Sequence, residues 1–319
     1  MVRTLILLCT ATLCVAVNGQ NKSDAEHDRL LGPVQSVSTE FSEFTTKDEK
    51  SVAGPRVPLQ QIAYDVSGNR TKRVEFNRDG SIAQTIVYYY DAEGRNTGYE
   101  EYAAGLNTPR KHIYTLDQKG NRVEYRMVQP TGKDADEKYV YTYDEKGNLV
   151  ADELYHKTTL VSRNENSYDL QGNLISQINY NPDSTVSSRV INSFAPDGKP
   201  LERTRHDGDL LTYRVRYTYD KKGRPVTVET TGSYIETDSN SEPHITGKVV
   251  NVYKGKDHPK EILIYNQDGS LRERIVIDYD SRGNWTKRTH RVKSSTPSKP
   301  DDDKEITRQI DYRTITYRQ

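Results

Sequence analysis

The sequence predicts an all-β protein, a long antiparallel β-hairpin meander built on a repeating unit and forming a twisted or curled elongated sheet, as a superhelical strip or a partial barrel. Three observations predict it. A turn hexapeptide recurs at near-constant spacing, the segments between turns alternate apolar and polar residues with period two, and no window of helical spacing interrupts them. The hexapeptides begin at Tyr64, Tyr90, Leu116, Tyr143, Tyr168, Phe194 and Tyr219, at steps of 26, 26, 27, 25, 26 and 25, and again at Tyr279. Tyr253 lies one such step before Tyr279 and starts a degenerate copy with a shortened turn.

In chain order, the first element is an export signal at residues 1–19. Met1, Val2 and Arg3 give a positive start, Leu5 to Val17 form an apolar run broken by Thr10 and Thr12, and Gly19 ends it. Cys9 and Cys14 both fall inside this segment, so the mature chain has no thiol to form a disulfide. A chain exported without disulfides points to a bacterial periplasm or extracellular space. Residues 20–30 are polar and read as a flexible leader. Residues 31–63, with Val34, Val37 and Phe41, are expected to be N-terminal capping strands, and residues 64–283 the repeat meander, with an insertion at 232–247. Residues 284–319 are expected to form C-terminal capping strands around the polar loop 293–304.

The repeat itself supplies the turn chemistry. Asp65, Asp91, Asp117, Asp144, Asp169, Asp220 and Asp280 follow the turn-opening residue, where a carboxylate can accept from the loop backbone. Gly68, Gly94, Gly120, Gly147, Gly172, Gly223 and Gly283 come three residues later, where a type I turn closed by a left-handed residue needs positive φ. A second turn follows about half a step later, after Phe76, Tyr180 and Tyr265, so each unit holds two strands. Tyr213, Val215, Tyr217 and Tyr219 alternate with Arg214, Arg216 and Thr218, as do Leu271, Glu273, Ile275 and Ile277 with their polar neighbours. An antiparallel meander of roughly 16 to 20 strands follows, which must twist or curl.

Composition narrows the function classes. The 319 residues carry 46 Lys+Arg against 46 Asp+Glu with no long basic block, so there is no electrostatic footprint for nucleic acid. Mean hydropathy is −0.90, and no segment after the signal approaches the roughly 20 apolar residues of a membrane-spanning helix. With 23 Tyr and only 4 Phe, tyrosine must carry much of the burial.

The recurrent Y-D-x-x-G-[NR] hexapeptide resembles the YD repeats of the RHS and teneurin proteins over residues 60 to 290, the greater part of the chain. The resemblance implies a spiralling β-hairpin strip, which in the large members builds a shell around a toxin or a barrel used in adhesion; carbohydrate binding has been attributed to the repeats. This chain has fewer repeats than a closed shell, no proline-and-glycine-rich autocleavage core and no unrelated C-terminal region. It is similar to a short, standalone secreted form.

Exposed tyrosine rings can stack on sugar C–H faces while their hydroxyls hydrogen-bond, although aromatics at alternate strand positions also serve as cross-strand packing pairs. The turn-preceding tyrosines recur in every unit and read as core. The off-register rings Tyr89, Tyr99, Tyr102 and Trp285 are therefore the candidates for binding a glycan or protein partner. The turns offer one carboxylate each, too few for calcium, and the seven histidines have no zinc-ligand spacing, so neither metal nor cofactor is expected. No nucleophile elbow, P-loop or dinucleotide-binding glycine pattern is present. The expected function is non-enzymatic: an exported repeat protein of the cell envelope or extracellular space that binds a glycan or protein partner on its sheet surface. The alternatives are a purely structural assembly scaffold, with edge strands docking other chains, and a hydrolase with a carboxylate pair in the curl of the sheet.

Overall fold

The computed structural model describes residues 22–47, 50–232, 247–255, 257–293 and 305–319. The expected export signal, the interior of the expected insertion and nearly all of the polar loop lie outside these residues. The chain divides into two compact units, a middle one at 139–272 and a terminal one made of 20–138 with 273–319.

Twenty-one strands and one short helix make up the described residues. They begin α1 (Asp24–His27), β1 (Val34–Lys47), β2 (Lys50–Ala53), β3 (Val57–Tyr64), β4 (Arg70–Phe76), β5 (Ile82–Tyr90) and β6 (Asn96–Ala103). Next come β7 (Arg110–Leu116), β8 (Arg122–Val128), β9 (Asp134–Tyr143), β10 (Leu149–His156), β11 (Thr159–Tyr168), β12 (Leu174–Tyr180), β13 (Val186–Phe194) and β14 (Pro200–Asp207). The series ends with β15 (Leu210–Tyr219), β16 (Pro225–Gly232), β17 (Gly247–Val252), β18 (Glu261–Tyr265), β19 (Leu271–Tyr279), β20 (Trp285–Lys293) and β21 (Glu305–Tyr317). Consecutive strands pair antiparallel from β3 to β8 and from β10 to β18, and β20 pairs with both β19 and β21.

One rule of local chemistry builds each repeat hairpin. At Tyr64, the Asp65 N–H donates to the Asn69 carbonyl at 2.8 Å and the Gly68 N–H to the Asp65 carbonyl at 3.0 Å, while Gly68 holds φ at +84°. This is a type I turn closed by a glycine bulge, and the strand register shifts at Ala63/Tyr64 in consequence. The Asp65 carboxylate accepts from the Ser67 and Asn69 backbone N–H groups and from the Asn69 amide. Asp144 with Asn148, Asp169 with Asn173 and Asp220 with Arg224 repeat the arrangement. Hydrogen bonds from Asn148 and Asn173 hold the Asp144 and Asp169 carboxyls below the usual aspartate range.

The excess of tyrosine over phenylalanine has a structural cause. The Tyr90 hydroxyl donates to the Arg70 carbonyl at 2.9 Å, Tyr168 to Leu149 at 2.8 Å, Tyr219 to Pro200 at 2.8 Å and Tyr253 to Pro225 at 3.0 Å. Each acceptor is the sixth residue after the turn-opening aromatic of the preceding repeat. The ring packs while its hydroxyl satisfies a carbonyl where the neighbouring strand begins, a bond that phenylalanine cannot make.

Two expectations need correction. Of the two expected forms, the superhelical strip does not describe the terminal unit, because β1 pairs with β3 along one side and with β21 along the other. The segments expected to be separate caps are thus hydrogen-bonded to each other, so that neither β1 nor β21 is left as a free edge. Nor are residues 20–30 simply a flexible leader. Ser23 and Glu26 form a capping box that starts α1, and Ala25 and Leu30 pack with Val34, Val37, Ile62 and Tyr64 in a buried cluster. The Ala25 N–H donates to the Gly68 carbonyl at 2.9 Å. Asp24 accepts from the Arg70 N–H and the Tyr90 hydroxyl, and Asp28 accepts from the Tyr64 hydroxyl and the Arg70 guanidinium. Leu31 exchanges two bonds of 2.8 Å with the Asn284 side chain.

Candidate functional site

The four off-register rings all lie in the terminal unit, in three different settings. The β5–β6 register places Tyr89 opposite Gly98, Val87 opposite Glu100 and Thr85 opposite Tyr102, so Tyr89, Glu100 and Tyr102 share one face of the sheet. On β7, Lys111 stands opposite Glu100 on that same face. The Tyr89 hydroxyl donates to Glu100 Oε2 at 2.9 Å, the Tyr102 hydroxyl donates to the same oxygen at 2.7 Å, and Lys111 Nζ lies 3.1 Å from Oε1. The Tyr102 hydroxyl, with Lys111 and Tyr89, holds the Glu100 carboxyl below its usual range. Burial and the bond to Glu100 push the Tyr89 hydroxyl up to about 12. Glu100 is therefore an anion at neutral pH and both hydroxyls are protonated donors.

Gly98, across from Tyr89, lets β6 approach β7 closely: it sits at φ +147°, is buried, and a Cβ there would stand 2.1 Å from the His112 carbonyl oxygen. Tyr89 itself is 45% exposed. An exposed ring beside a fixed carboxylate and an ammonium can stack on one face of a sugar while engaging its hydroxyls as both acceptor and donor.

Tyr99 points the other way. It is paired with Tyr88 and His112, stacks on the His112 ring at 4.0 Å between centroids and 11° between planes, and lies 6.4 Å from Tyr114. His112 is buried, with Nδ1 2.8 Å from the Tyr125 hydroxyl, and burial pushes its pKa down so that it is neutral. Tyr99 belongs to a packed aromatic ladder.

Trp285 is set apart again, with the guanidinium carbons of Arg288 and Arg313 over its ring at 3.9 and 4.1 Å. Nearby, His290 places Nδ1 2.8 Å from Glu273 Oε1 and Nε2 2.9 Å from Asp311 Oδ2. A ring bound to a carboxylate at each nitrogen is an imidazolium donating twice, and those bonds raise its pKa to about 9 against the opposing effect of burial. Glu273 and Asp311 are thus occupied in holding a cation.

Sequence reasoning singled out the rings but missed Glu100, Lys111, Arg288, Arg313 and His290. Glu100 had one legible signal, its place between Tyr99 and Tyr102 on a strand, which puts it on the face of Tyr102 and opposite to that of Tyr99.

No protein family and no curated protein matches this sequence. Solved structures that align with this chain were found at 12% identity. The structure of TcdB2-TccC3-TEV aligns over 83% of this chain and 14% of its own, with a TM-score of 0.41. A porin-like protein from Bacteroides uniformis aligns over 90% of this chain and 99% of its own, with a TM-score of 0.39. The Photorhabdus luminescens Tc holotoxin pore aligns over 83% and 18%, with a TM-score of 0.30. This chain therefore spans less than a fifth of the length of the Tc chains it resembles.

Proposed function

We propose that this chain is a non-enzymatic, exported binding protein of a bacterial envelope that takes a glycan on the face formed by Tyr89, Glu100, Tyr102 and Lys111. The observation that carries the reading is the convergence of two tyrosine hydroxyls on one carboxylate oxygen at Tyr89, a residue that is 45% exposed. The Tyr89 ring offers a stacking surface, Glu100 and the two phenol oxygens, whose protons are held by Glu100, accept from sugar hydroxyls, and Lys111 donates to them. Export rests on the signal-like residues 1–19. A scaffold docking through its outermost strands is less well supported, because β1 and β21 are paired with each other.

The test is a glycan-array screen of the chain from Gln20, with Tyr89→Ala, Tyr102→Phe and Tyr99→Phe variants checked by circular dichroism. Specific binding should fall at least tenfold in Tyr89→Ala, about 1.4 kcal/mol, fall less in Tyr102→Phe and persist in Tyr99→Phe. Binding that survives Tyr89→Ala unchanged, or no binding to any glycan, would sink the reading.

A further inference from the structure

The pair of guanidiniums on Trp285 has no counter-charge of its own. Arg288 on β20 stands opposite Asp311 on β21, two residues from Arg313, and the Trp285 indole lies beneath both guanidiniums. The Nε atoms of both arginines are shut off from solvent and donate no hydrogen bond, and among the described residues neither side chain forms an ion pair. The carboxylates close enough to act on them are already engaged. Asp311 accepts from His290 on one oxygen and from Gln309 on the other, at 2.6 Å. Asp28 accepts from Tyr64 and Arg70, and Glu273 is bound to His290.

The local charges do not cancel. Arg288, Arg313 and the His290 imidazolium bring three positive charges against two negative ones from Glu273 and Asp311, leaving a net charge of +1. Burial and the neighbouring Arg313 push Arg288 down to about 9, and burial pushes Arg313 down to about 10, as expected for cations held together without a partner. All three residues are half-buried rather than fully enclosed. A guanidinium presents its N–H groups as a flat fork that matches the two oxygens of a carboxylate or phosphate, and the indole supplies a flat apolar wall for the group bearing that anion. We propose that Trp285, Arg288 and Arg313 form a binding site for the oxyanion of a small ligand, a carboxylate or a phosphate group. This site uses none of the residues of the Tyr89 patch and stands whether or not that patch binds a glycan.

Trp285 is the only tryptophan of the chain, so its emission reports on this site alone. The full chain from Gln20 would be titrated with inorganic phosphate and, separately, with acetate, replacing chloride at constant ionic strength. A saturable change in emission is expected with at least one anion, together with a rise in Tm over the chloride control. Saturation by phosphate alone identifies a phosphoryl ligand, and saturation by acetate identifies a carboxylate. Arg313→Gln should weaken binding at least tenfold, and Tyr89→Ala should leave it unchanged. The proposal is overturned if neither anion gives saturation, or if Arg288→Gln combined with Arg313→Gln leaves the titration unaltered. Should that double variant fail to fold, the absence of an anion-dependent Tm rise in the unsubstituted chain overturns it equally.

Discussion

Between residues 139 and 272 the strands bury mostly neutral groups: Val190, Tyr213, Val215, Val228, Val249, Ile262 and Ile264. Their polar counterpart is a short ladder of two amides ending on a carboxylate, in which Asn179 donates to Asn164 at 2.7 Å and Asn164 to Asp152 at 2.9 Å. In the terminal unit the same hairpin repeat buries Glu273 and His290 along with Ile275 and Ile277, buries His112 between Tyr99 and Tyr125, and sets Arg288 and Arg313 on Trp285. The turns are chemically alike in both units, so the repeat does not dictate what its strands bury. Each face residue is free to vary, at a cost that is greater for a buried charge left unpaired, as at Arg288 and Arg313, than for an unpaired amide. Chemistry accumulates in the terminal unit because β1, β20 and β21 come together there and supply partners from distant parts of the chain.

The largest expected effect breaks that arrangement. His290→Gln leaves Glu273 and Asp311 without their shared cation and should cost about 3–5 kcal/mol in urea unfolding, whereas Asn164→Leu in the middle unit should cost about 1–3 kcal/mol. Equal losses would erase the contrast between the units. The pH dependence sharpens it. Because the folded pKa of His290 is raised to about 9 from 6.5, its contribution is fully present below about pH 6.5 and is lost as pH rises through about 9. Asp311, held low by His290, contributes above the ordinary aspartate range, and its contribution is lost as pH falls. A stability profile between pH 6 and 9 should therefore slope downward in the parent chain and flatten in His290→Gln.

A smaller effect tests what the units share. Tyr168→Phe removes the hydroxyl that reaches the Leu149 carbonyl and should cost about 0.5–1.5 kcal/mol, read as a shift in denaturation midpoint. Phe194 occupies the equivalent position one repeat later, where Asn192 already donates to the Leu174 carbonyl at 2.9 Å. That carbonyl has a second lone pair, so Phe194→Tyr should gain up to about 1 kcal/mol. The smallest change lies in the turn between β12 and β13. Ser184 holds φ +66° where the corresponding turns at Gly80 and Gly269 use glycine, so Ser184→Gly should stabilise by about 1 kcal/mol. No gain there would mean that the hydroxyl or the stiffer unfolded chain offsets the strain.

Much of the fold was legible because the repeat is governed by neighbours in sequence. Asp65, Asn69 and Gly68 find one another within a single turn, and the period-two strands follow from the composition between turns. The candidate site was half legible. Alternation along β6 already set Tyr99 on the face opposite to Tyr102, but not that Tyr99 is packed there, since its stack on His112 comes from the next strand. The ordering of the N-terminal segment was hidden, because its polar residues are satisfied by Arg70, Tyr90 and Asn284, the last of them near the opposite end of the chain from Leu31.

By itself the sequence determined the hairpins: local hydrogen bonds, positive-φ glycines and alternating strands are written into every repeat. Only the tertiary structure decided that β1 pairs with β21, that Asp24 and Asp28 fasten the first residues over the turns, and that Arg288 and Arg313 meet on Trp285. Those contacts join residues far apart in the chain, where the loss of chain entropy is offset only by many interactions formed together, and no local pattern records which distant partner will supply them.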